Sequence, residues 1–232
     1  LAFRASGGHT QVPHAERGRI LITGANGFIG NAACAFFRSQ GFTVRSHARS
    51  RGFDLSGELT SESAIYRALL DVDFLFHTAG MAHSKGPRVS DLHWINVEWP
   101  ARLASICNNR SIRFVHLSSS KVYGESGHFS EDSPLQPADA YAKAKAGSEK
   151  AVIDACPEAL VLRIPPVYGP GSKGSFRALV GAVQKGWPLP FGMVQAKRSY
   201  LFVNTLHSAV QFLLSANKAG IWNISDDHDI AL

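Results

Sequence analysis

A tyrosine and a lysine four residues apart are the residues whose types and spacing most directly suggest chemistry. In the segment Tyr141-Ala-Lys-Ala-Lys145 both side chains lie on one face of a helix. A tyrosine has a pKa near 10 and becomes a base at neutral pH only if a neighbouring ammonium stabilises its phenolate. Tyr141 could then exchange a proton with a substrate hydroxyl or carbonyl, and a serine of residues 118–120 could hydrogen-bond the same oxygen. An isolated Tyr-x-x-x-Lys is usually a helix-surface pair, so this interpretation depends on other motifs.

The second motif has three glycines spaced three residues apart, Thr23-Gly-Ala-Asn-Gly-Phe-Ile-Gly30. It follows an apolar strand and opens a helix. Gly24 permits a tight turn, Gly27 lets the backbone approach a pyrophosphate, and Gly30 permits close contact between helix and sheet. The helix N-terminus then faces the phosphate charge. The motif predicts a dinucleotide cofactor site that includes Gly24, Asn26, Gly27, Phe28, Ile29 and Gly30.

The residues after the second predicted strand bear on which dinucleotide is bound. An acidic side chain there favours NAD, whereas an arginine suits the 2′-phosphate of NADP. The sequence has Arg45-Ser-His-Ala-Arg49-Ser-Arg51, and no acidic residue follows before Asp54. Arg49 is therefore the first candidate for a 2′-phosphate contact, and NADP is favoured over NAD. A solvated basic edge of the sheet would give the same sequence.

These motifs must be positioned by elements that alternate short apolar segments with longer amphipathic ones, the pattern of a parallel sheet with crossover helices. Strands are predicted at residues 19–23, 43–47, 73–77, 113–118 and 160–163, and helices at residues 28–40, 62–70, 92–108 and 140–155. We expect an α/β fold with a Rossmann-type doubly wound parallel sheet over residues 19–165. A smaller, apparently truncated C-terminal substrate lobe, interleaved with the main domain, is expected over residues 166–232.

Composition narrows the functional classes. The 232 residues carry a net charge of +6, but the Lys and Arg residues are scattered, so an anionic small molecule suits this charge better than a nucleic acid. Cys34, Cys107 and Cys156 lie far apart, which argues against a disulfide framework and indicates a cytoplasmic protein. No metal site is predicted, because the ten histidines lack ligand spacing. No apolar run reaches the roughly 18 residues of a membrane helix, and residues 1–18 are expected to be a disordered or vector-derived extension.

With both motifs in place, residues 19–230 resemble the NAD-dependent epimerase/dehydratase family, the extended short-chain dehydrogenases/reductases. The glycine spacing is similar to that of these enzymes. Segments 76–83, 95–98, 118–124 and 162–171 are similar to bacterial UDP-N-acetylhexosamine 4-epimerases and 4-ketoreductases. The resemblance implies an enzyme that transfers a hydride at C4 of a UDP-N-acetylhexosamine-like sugar, with NADP or NAD as cofactor. It also implies that the helices predicted at residues 92–108 and 140–155 could form a homodimer interface.

The resemblance assigns further site residues. The catalytic serine of the family lies three positions before the valine of Val-Tyr-Gly, which is Ser119 here, with Ser118 and Ser120 one residue away. Tyr141 would be the acid/base, and Lys145 would also reach the nicotinamide ribose. Additional cofactor contacts implied are Asp54, Leu55, Thr78, Ala79, Gly80, Pro165 and Val167. Substrate contacts implied are His83, Lys85, Ser120, Lys121, Lys173, Phe176 and Arg198.

Several of these assignments have alternatives in the sequence itself. Arg198 would bind the substrate diphosphate, but a surface cation beside a strand has the same appearance. His83 and Lys85 could equally lie in a solvent-exposed loop, and the segment around Phe176 could belong to ordinary core.

The reaction class is narrowed by the two positions after Ser119. Dehydratases of the family carry an Asp-Glu pair there, whereas this chain has Ser120 and Lys121, so dehydration is disfavoured. A 4-epimerase returns the hydride to the sugar and a 4-ketoreductase releases oxidised cofactor, with the same Ser/Tyr/Lys set. Arg49 favours the reductase, while the usual assignment within the family favours the epimerase.

Two other functional classes fit parts of the sequence. A non-catalytic dinucleotide-binding module would not need Ser119, Tyr141 and Lys145, which are all present. An extended short-chain reductase of a non-sugar carbonyl substrate would not need Arg198 or a basic second lobe. The nucleotide-sugar enzyme is therefore preferred over both.

Overall fold

A parallel sheet of seven strands organises the part of the chain that the computed structural model describes, residues 18–50, 52, 55–56, 61–81, 89–172, 175–186 and 197–231. The described strands are β1 (Arg19–Thr23), β2 (Thr43–Ala48), β3 (Leu55–Ser56), β4 (Phe74–His77), β5 (Arg113–Ser119), β6 (Leu160–Ile164), β7 (Val167–Tyr168), β8 (Lys197–Arg198), β9 (Leu201–Phe202), β10 (Gly220–Asn223) and β11 (Ile230–Ala231). The seven strands follow the order β10-β6-β5-β4-β1-β2-β3. This order confirms the predicted doubly wound parallel sheet.

Helices cover both faces of the sheet. The described helices are α1 (Phe28–Ser39), α2 (Glu62–Ala68), α3 (Val89–His93), a π-helix (Trp94–Glu98), α4 (Trp99–Asn109), a 3₁₀-helix (Ser120–Tyr123), α5 (Ala140–Ala155), α6 (Ser175–Gln184) and α7 (Val203–Ser215). Side chains alternate along a strand, so Ile20 and Ile22 belong to one apolar cluster with α1 and α7, and Leu21 belongs to the other with α2, α4 and α5. Strands buried on both faces explain why the predicted segments are almost continuously apolar.

The segment predicted as helical over residues 92–108 is helical throughout, but one part of it is a π-helix. The chain forms α3, one π-helical segment and then α4, in which Pro100 is at the first turn. The amide of Trp99 donates to the carbonyl of Trp94, five residues earlier. Proline has no N–H to continue the ordinary ladder, so the wider turn before Pro100 has a local cause.

The predicted substrate lobe contributes to the main sheet. Strand β10 pairs in parallel with β6, and α7 packs on α1 through contacts such as that of His207 with Phe36. The remaining short strands form two small ribbons, β7 with β9 and β8 with β11. Of the described part of residues 166–232, α7 and β10 thus belong to the layers of the sheet domain.

Several predictions lie outside the described residues. These are residues 1–17 of the extension predicted over residues 1–18, and the contacts Asp54, His83, Lys85 and Lys173. Phe176 lies on α6, but its side chain also falls outside the description. Among the helices that are described, none is both long enough and apolar enough to span a bilayer.

Candidate active site

The glycine motif forms the turn between β1 and α1, where two of its glycines fit only because they lack a side chain. Gly24 has a φ of +74°, and a Cβ there would lie 2.6 Å from the backbone nitrogen of Ala79. A Cβ on Gly30 would lie 2.4 Å from the Gly24 carbonyl oxygen and 2.6 Å from Oγ1 of Thr78. The backbone of β1, the start of α1 and the turn after β4 therefore meet at this point.

The N-terminus of α1 opens onto this turn. Its N-cap is Gly27, which has no side chain to cap the helix, and no acidic residue lies in the first turn. Phe28 and Ile29 are half-buried in that turn, and Asn26 is exposed beside it. Uncapped amides at a helix N-terminus suit an anionic group such as a pyrophosphate.

The turn after β4 is tied to β1 and to the π-helix. The backbone amide and hydroxyl of Thr78 both donate to the carbonyl of Thr23, at 3.2 and 2.7 Å. The side chain of Asn96 accepts from the amide of Met81 and donates to its carbonyl, both at 2.9 Å. Sequence reasoning assigned no role to Asn96, although it lay in a segment similar to the family, and the structure shows that it holds the turn that contains Ala79 and Gly80.

The basic segment after β2 divides into a structural arginine and an exposed one. Arg45 donates to the carbonyls of Ala68 and Leu70 at the end of α2, at 2.8 and 2.9 Å. Arg49 is exposed just beyond β2. Ser50, the next residue, accepts a hydrogen bond of 3.0 Å from Asn26 of the glycine turn. Ser50 thus ties the chain directly after Arg49 to the glycine turn, while Arg45 is engaged at the end of α2.

The three residues predicted to carry the chemistry come together at the carboxyl end of β5. Ser119 ends β5, and Tyr141 and Lys145 lie on the first turns of α5. Ser119 hydrogen-bonds Tyr141, which is half-buried. The Nζ atom of Lys145 donates to the carbonyl of Leu117 at 2.7 Å and lies 6.0 Å from the centre of the Tyr141 ring. It would also lie 3.7 Å from a Cβ placed on Gly80, so the lysine reaches the turn after β4.

The geometry separates the three candidate serines. Ser118 is buried and donates to the carboxylate of Glu149. Ser119 contacts Tyr141, and its hydroxyl also accepts from the amide of Lys121 at 3.3 Å. Ser120 begins the 3₁₀-helix. The contact with Tyr141 therefore favours Ser119.

Burial and neighbouring groups shift the pKa values of Tyr141 and Lys145. Burial raises the pKa of Tyr141, the hydrogen bond from Ser119 lowers it, and the negative charge of Asp139 raises it. Burial also lowers the pKa of Lys145 to about 8, while the negative charge of Glu149 raises it. Burial and Asp139 thus oppose the phenolate that Lys145 is predicted to stabilise, while the hydrogen bond from Ser119 favours it.

The substrate candidates are dispersed. Lys121 forms an ion pair of 2.8 Å with Asp139, which caps α5 by accepting from the amide of Ala142. The bond to Lys121 and this backbone bond lower the pKa of Asp139. Arg198 is exposed on β8, where it pairs with Ile230 of β11. Lys121 thus has a structural partner beside the site, and its role in binding substrate stays a prediction.

The remaining cofactor candidates lie at strand ends. Leu55 begins β3, paired with His47 of β2. Pro165 is buried directly after β6, and Val167 is half-buried on β7. Within the described ranges, no group of three or more His, Cys, Asp or Glu side chains could hold a metal ion.

Known proteins resemble this chain in sequence and in fold. Residues 20–225 match the sequence profile of the NAD dependent epimerase/dehydratase family. A UDP-glucose 4-epimerase of Vibrio cholerae is 29% identical over 235 residues, 91% of this chain and 72% of the relative. A probable low-salt glycan biosynthesis reductase of Haloferax volcanii is 32% identical over 177 residues, 71% of this chain but only 58% of the relative. The crystal structure of UDP-N-acetylglucosamine 4-epimerase from Bacillus cereus has the same fold, with a TM-score of 0.82 at 22% identity over 92% of this chain and 77% of that one.

Proposed function

Because the chain belongs to the NAD dependent epimerase/dehydratase family, we propose that it transfers a hydride at C4 of a UDP-N-acetylhexosamine-like sugar, as a 4-epimerase or a 4-ketoreductase. The observation that carries this proposal is the meeting of Ser119, Tyr141 and Lys145 beside the glycine turn. Relatives named for each reaction, an epimerase and a reductase, support both forms of the proposal.

The glycine turn fits a dinucleotide. Gly24 and Gly30 allow the backbone of β1, the start of α1 and the turn after β4 to meet closely, and the amides of Phe28, Ile29 and Gly30 lie at an uncapped helix N-terminus. These residues would hold the pyrophosphate, with Arg49 beside a 2′-phosphate if the cofactor is NADP. When bound, NAD(P) accepts or supplies the hydride.

The chain's own residues supply proton transfer and orientation. Tyr141 would give its proton to a sugar carbonyl oxygen, or take one from a hydroxyl, at the position where Ser119 can hydrogen-bond the same oxygen. Lys145 would place its positive charge beside the phenolate and reach the ribose side of the turn at Gly80. The carboxyl end of β5 and the N-terminal turns of α5 thus form one reaction edge.

One observation favours the reductase form. An exposed Arg49 supports this form, because NADPH commonly serves net reduction. The epimerase form is supported by the relative that aligns with most of this chain.

The proposal is tested with purified protein given UDP-N-acetylglucosamine in one reaction, and a UDP-4-keto sugar with NADPH or NADH in another. Stoichiometric loss of NADPH would identify a reductase, and interconversion of the C4 epimers without net loss of cofactor would identify an epimerase. Tyr141→Phe should lower turnover by roughly 10²–10⁴-fold, the usual contribution of a general acid.

Tyr66→Phe is the matched control, because it removes a phenol hydroxyl from α2, where the ring contacts Arg110. Turnover should then stay close to that of the unchanged protein. If Tyr141→Phe kept full activity, the assigned role of Tyr141 would be wrong. If neither sugar reacted while a keto compound without a nucleotide did, the substrate class would be wrong.

A further inference from the structure

A buried ion pair lies one helical turn beyond Lys145. The side chains of Glu149 and Arg163 are 3% and 4% exposed, and Nη2 of Arg163 lies 2.7 Å from Oε2 of Glu149. Nε of Arg163 donates to both carboxylate oxygens, at 3.0 and 3.1 Å. Ser118 also donates to Oε1 of Glu149. The carboxylate is therefore held in one position from two strands, β5 and β6.

The arginine is fixed as firmly as the carboxylate. Its Nη1 atom donates to the hydroxyl of Tyr123 at 2.7 Å and to the carbonyl of Glu131 at 3.0 Å. The hydroxyl of Tyr123 donates in turn to Asn223 of β10 at 2.7 Å. Burying two charges carries a desolvation cost that their attraction often only offsets, so stability alone is a weak reason for such a pair. Its position next to the reaction edge suggests another role.

The spacing connects this pair to the reaction edge. Tyr141, Lys145 and Glu149 recur every four residues on α5 and so share one face of the helix. Each contacts a different residue of the last three of β5: Tyr141 contacts Ser119, Lys145 contacts the carbonyl of Leu117, and Glu149 contacts Ser118. Three successive contacts fix how α5 sits along β5.

The charge of Glu149 also acts on Lys145. Lys145 is 6% exposed, so burial disfavours its ammonium form, and the negative charge of Glu149 favours that form. Among the described residues, the other titratable groups that face Lys145 are Tyr141 on α5, His77 on β4 and His116 on β5. Burial lowers the pKa of both histidines, so they are uncharged at neutral pH and add no positive charge there. Arg163 on β6 faces Glu149.

We propose that Glu149 is a positioning residue for the reaction edge: held by Arg163 and Ser118, its carboxylate keeps Lys145 charged and keeps α5 in place along β5. This inference rests on the proposed function, since it assumes that Tyr141 and Lys145 act on substrate and cofactor. The effect of Glu149 on the charge of Lys145 can nevertheless be measured without any substrate.

The first test follows the titration of Lys145 by NMR of lysine-labelled full-length protein, with the signal assigned through Lys145→Arg. Glu149→Gln removes the charge and keeps the shape, and the midpoint of Lys145 should fall by about one pH unit or more, as loss of a nearby opposite charge requires. Asp154→Asn is the matched control on the same helix, since Asp154 pairs with Lys150 in the exposed part of α5. The Lys145 midpoint in Asp154→Asn should equal that in the unchanged protein. An unchanged midpoint in Glu149→Gln overturns the proposal.

The second test measures the pH profile of kcat with the sugar nucleotide that reacts in the assays of the proposed function. In Glu149→Gln the alkaline limb of the kcat profile should move to lower pH by the same amount as the NMR midpoint of Lys145. Glu149→Asp keeps the negative charge, so its limb should move less. A purely structural role would lower thermal stability and leave the limb in place, which would contradict the proposal. If the proposed function itself is wrong, the result is different: Tyr141→Phe keeps its activity, whatever the NMR midpoint of Lys145 is.

If Glu149→Gln fails to fold, the double variant Glu149→Met with Arg163→Met takes its place. Apolar replacement of both members of a buried ion pair is often neutral or stabilising, whereas removal of one member leaves an uncompensated charge. The Lys145 midpoint should again fall in the double variant, because the charge of Glu149 acts on Lys145, whereas Arg163 faces Glu149. A midpoint that stays at its original value there would refute the role of Glu149.

Discussion

Acidification should destabilise the fold through His77, which is buried on β4. Burial lowers its pKa from 6.5 to about 3, and the positive charge of Lys145 and then of His47 add to that effect. Its Nδ1 atom is 2.7 Å from the hydroxyl of Thr23. The native side chain therefore stays neutral down to about pH 3, while the unfolded chain takes up a proton below its ordinary pKa of roughly 6.5. The stability contributed by His77 is complete above that pH and is lost as the pH falls.

The magnitude follows from proton linkage. One pKa unit corresponds to about 1.4 kcal/mol, so the loss approaches a slope of about 1.4 kcal/mol per pH unit below the ordinary histidine pKa. Integrated from pH 7 to pH 5, this gives roughly 2 kcal/mol for this one side chain. Burial lowers the pKa of His116 as well, so the total loss of stability between pH 7 and pH 5 should be larger.

The assay is urea unfolding, followed by circular dichroism, at pH 7, 6 and 5. His77→Gln has a similar volume and does not titrate, so its stability should fall by about 2 kcal/mol less than that of the unchanged protein between pH 7 and pH 5. His128→Gln is the control, because His128 is exposed and its imidazole is hydrated in both states. An equal fall in His77→Gln and in the unchanged protein would refute the reasoning.

Two further predictions concern the cofactor and substrate sites. Gly30→Ala should abolish binding of NADPH measured by calorimetry, because its Cβ would lie 2.4 Å from the Gly24 carbonyl oxygen. Gly181→Ala on α6 should bind normally, because its Cβ would meet no described residue outside its own helix within 4 Å. Normal binding by Gly30→Ala would show that the turn can open. Arg198→Ala should raise the KM for a UDP-sugar at least tenfold, as loss of a charge-assisted contact to a diphosphate implies. An unchanged KM would remove Arg198 from the proposed diphosphate site.

Local patterns predicted the sheet and the glycine turn well. The five predicted strands all occur in the central sheet, because a strand buried on both faces leaves an apolar segment that is visible in the sequence. The glycine spacing is equally local, since the same eight residues make the turn that they predict. The strand β10 was missed because it is a four-residue edge strand whose residues are all only half-buried.

Contacts between distant parts of the chain could not be predicted in this way. Arg163 lies in an apolar strand, and its partner Glu149 looks like one charge among several on α5; only folding shows that both are buried. A carboxylate four residues after Lys145 was the available signal, and it is ambiguous because exposed helices often carry such pairs. The hydrogen bonds of Asn96 to Met81 depend on a π-helical turn, for which the sequence pattern gave an ordinary helix.

The charges around the reaction edge have a consequence for its chemistry. Lys145, Glu149 and Arg163 are buried together, and their formal charges leave one positive charge in excess. The neighbouring imidazoles of His77 and His116 are stacked at 5.7 Å and neutral, so they do not add to that excess at neutral pH. Ionisation of Tyr141 would cancel it. Burial and Asp139 oppose that ionisation by raising the pKa of Tyr141, and protonation of the two histidines in acid would oppose both the fold and the charge on Lys145.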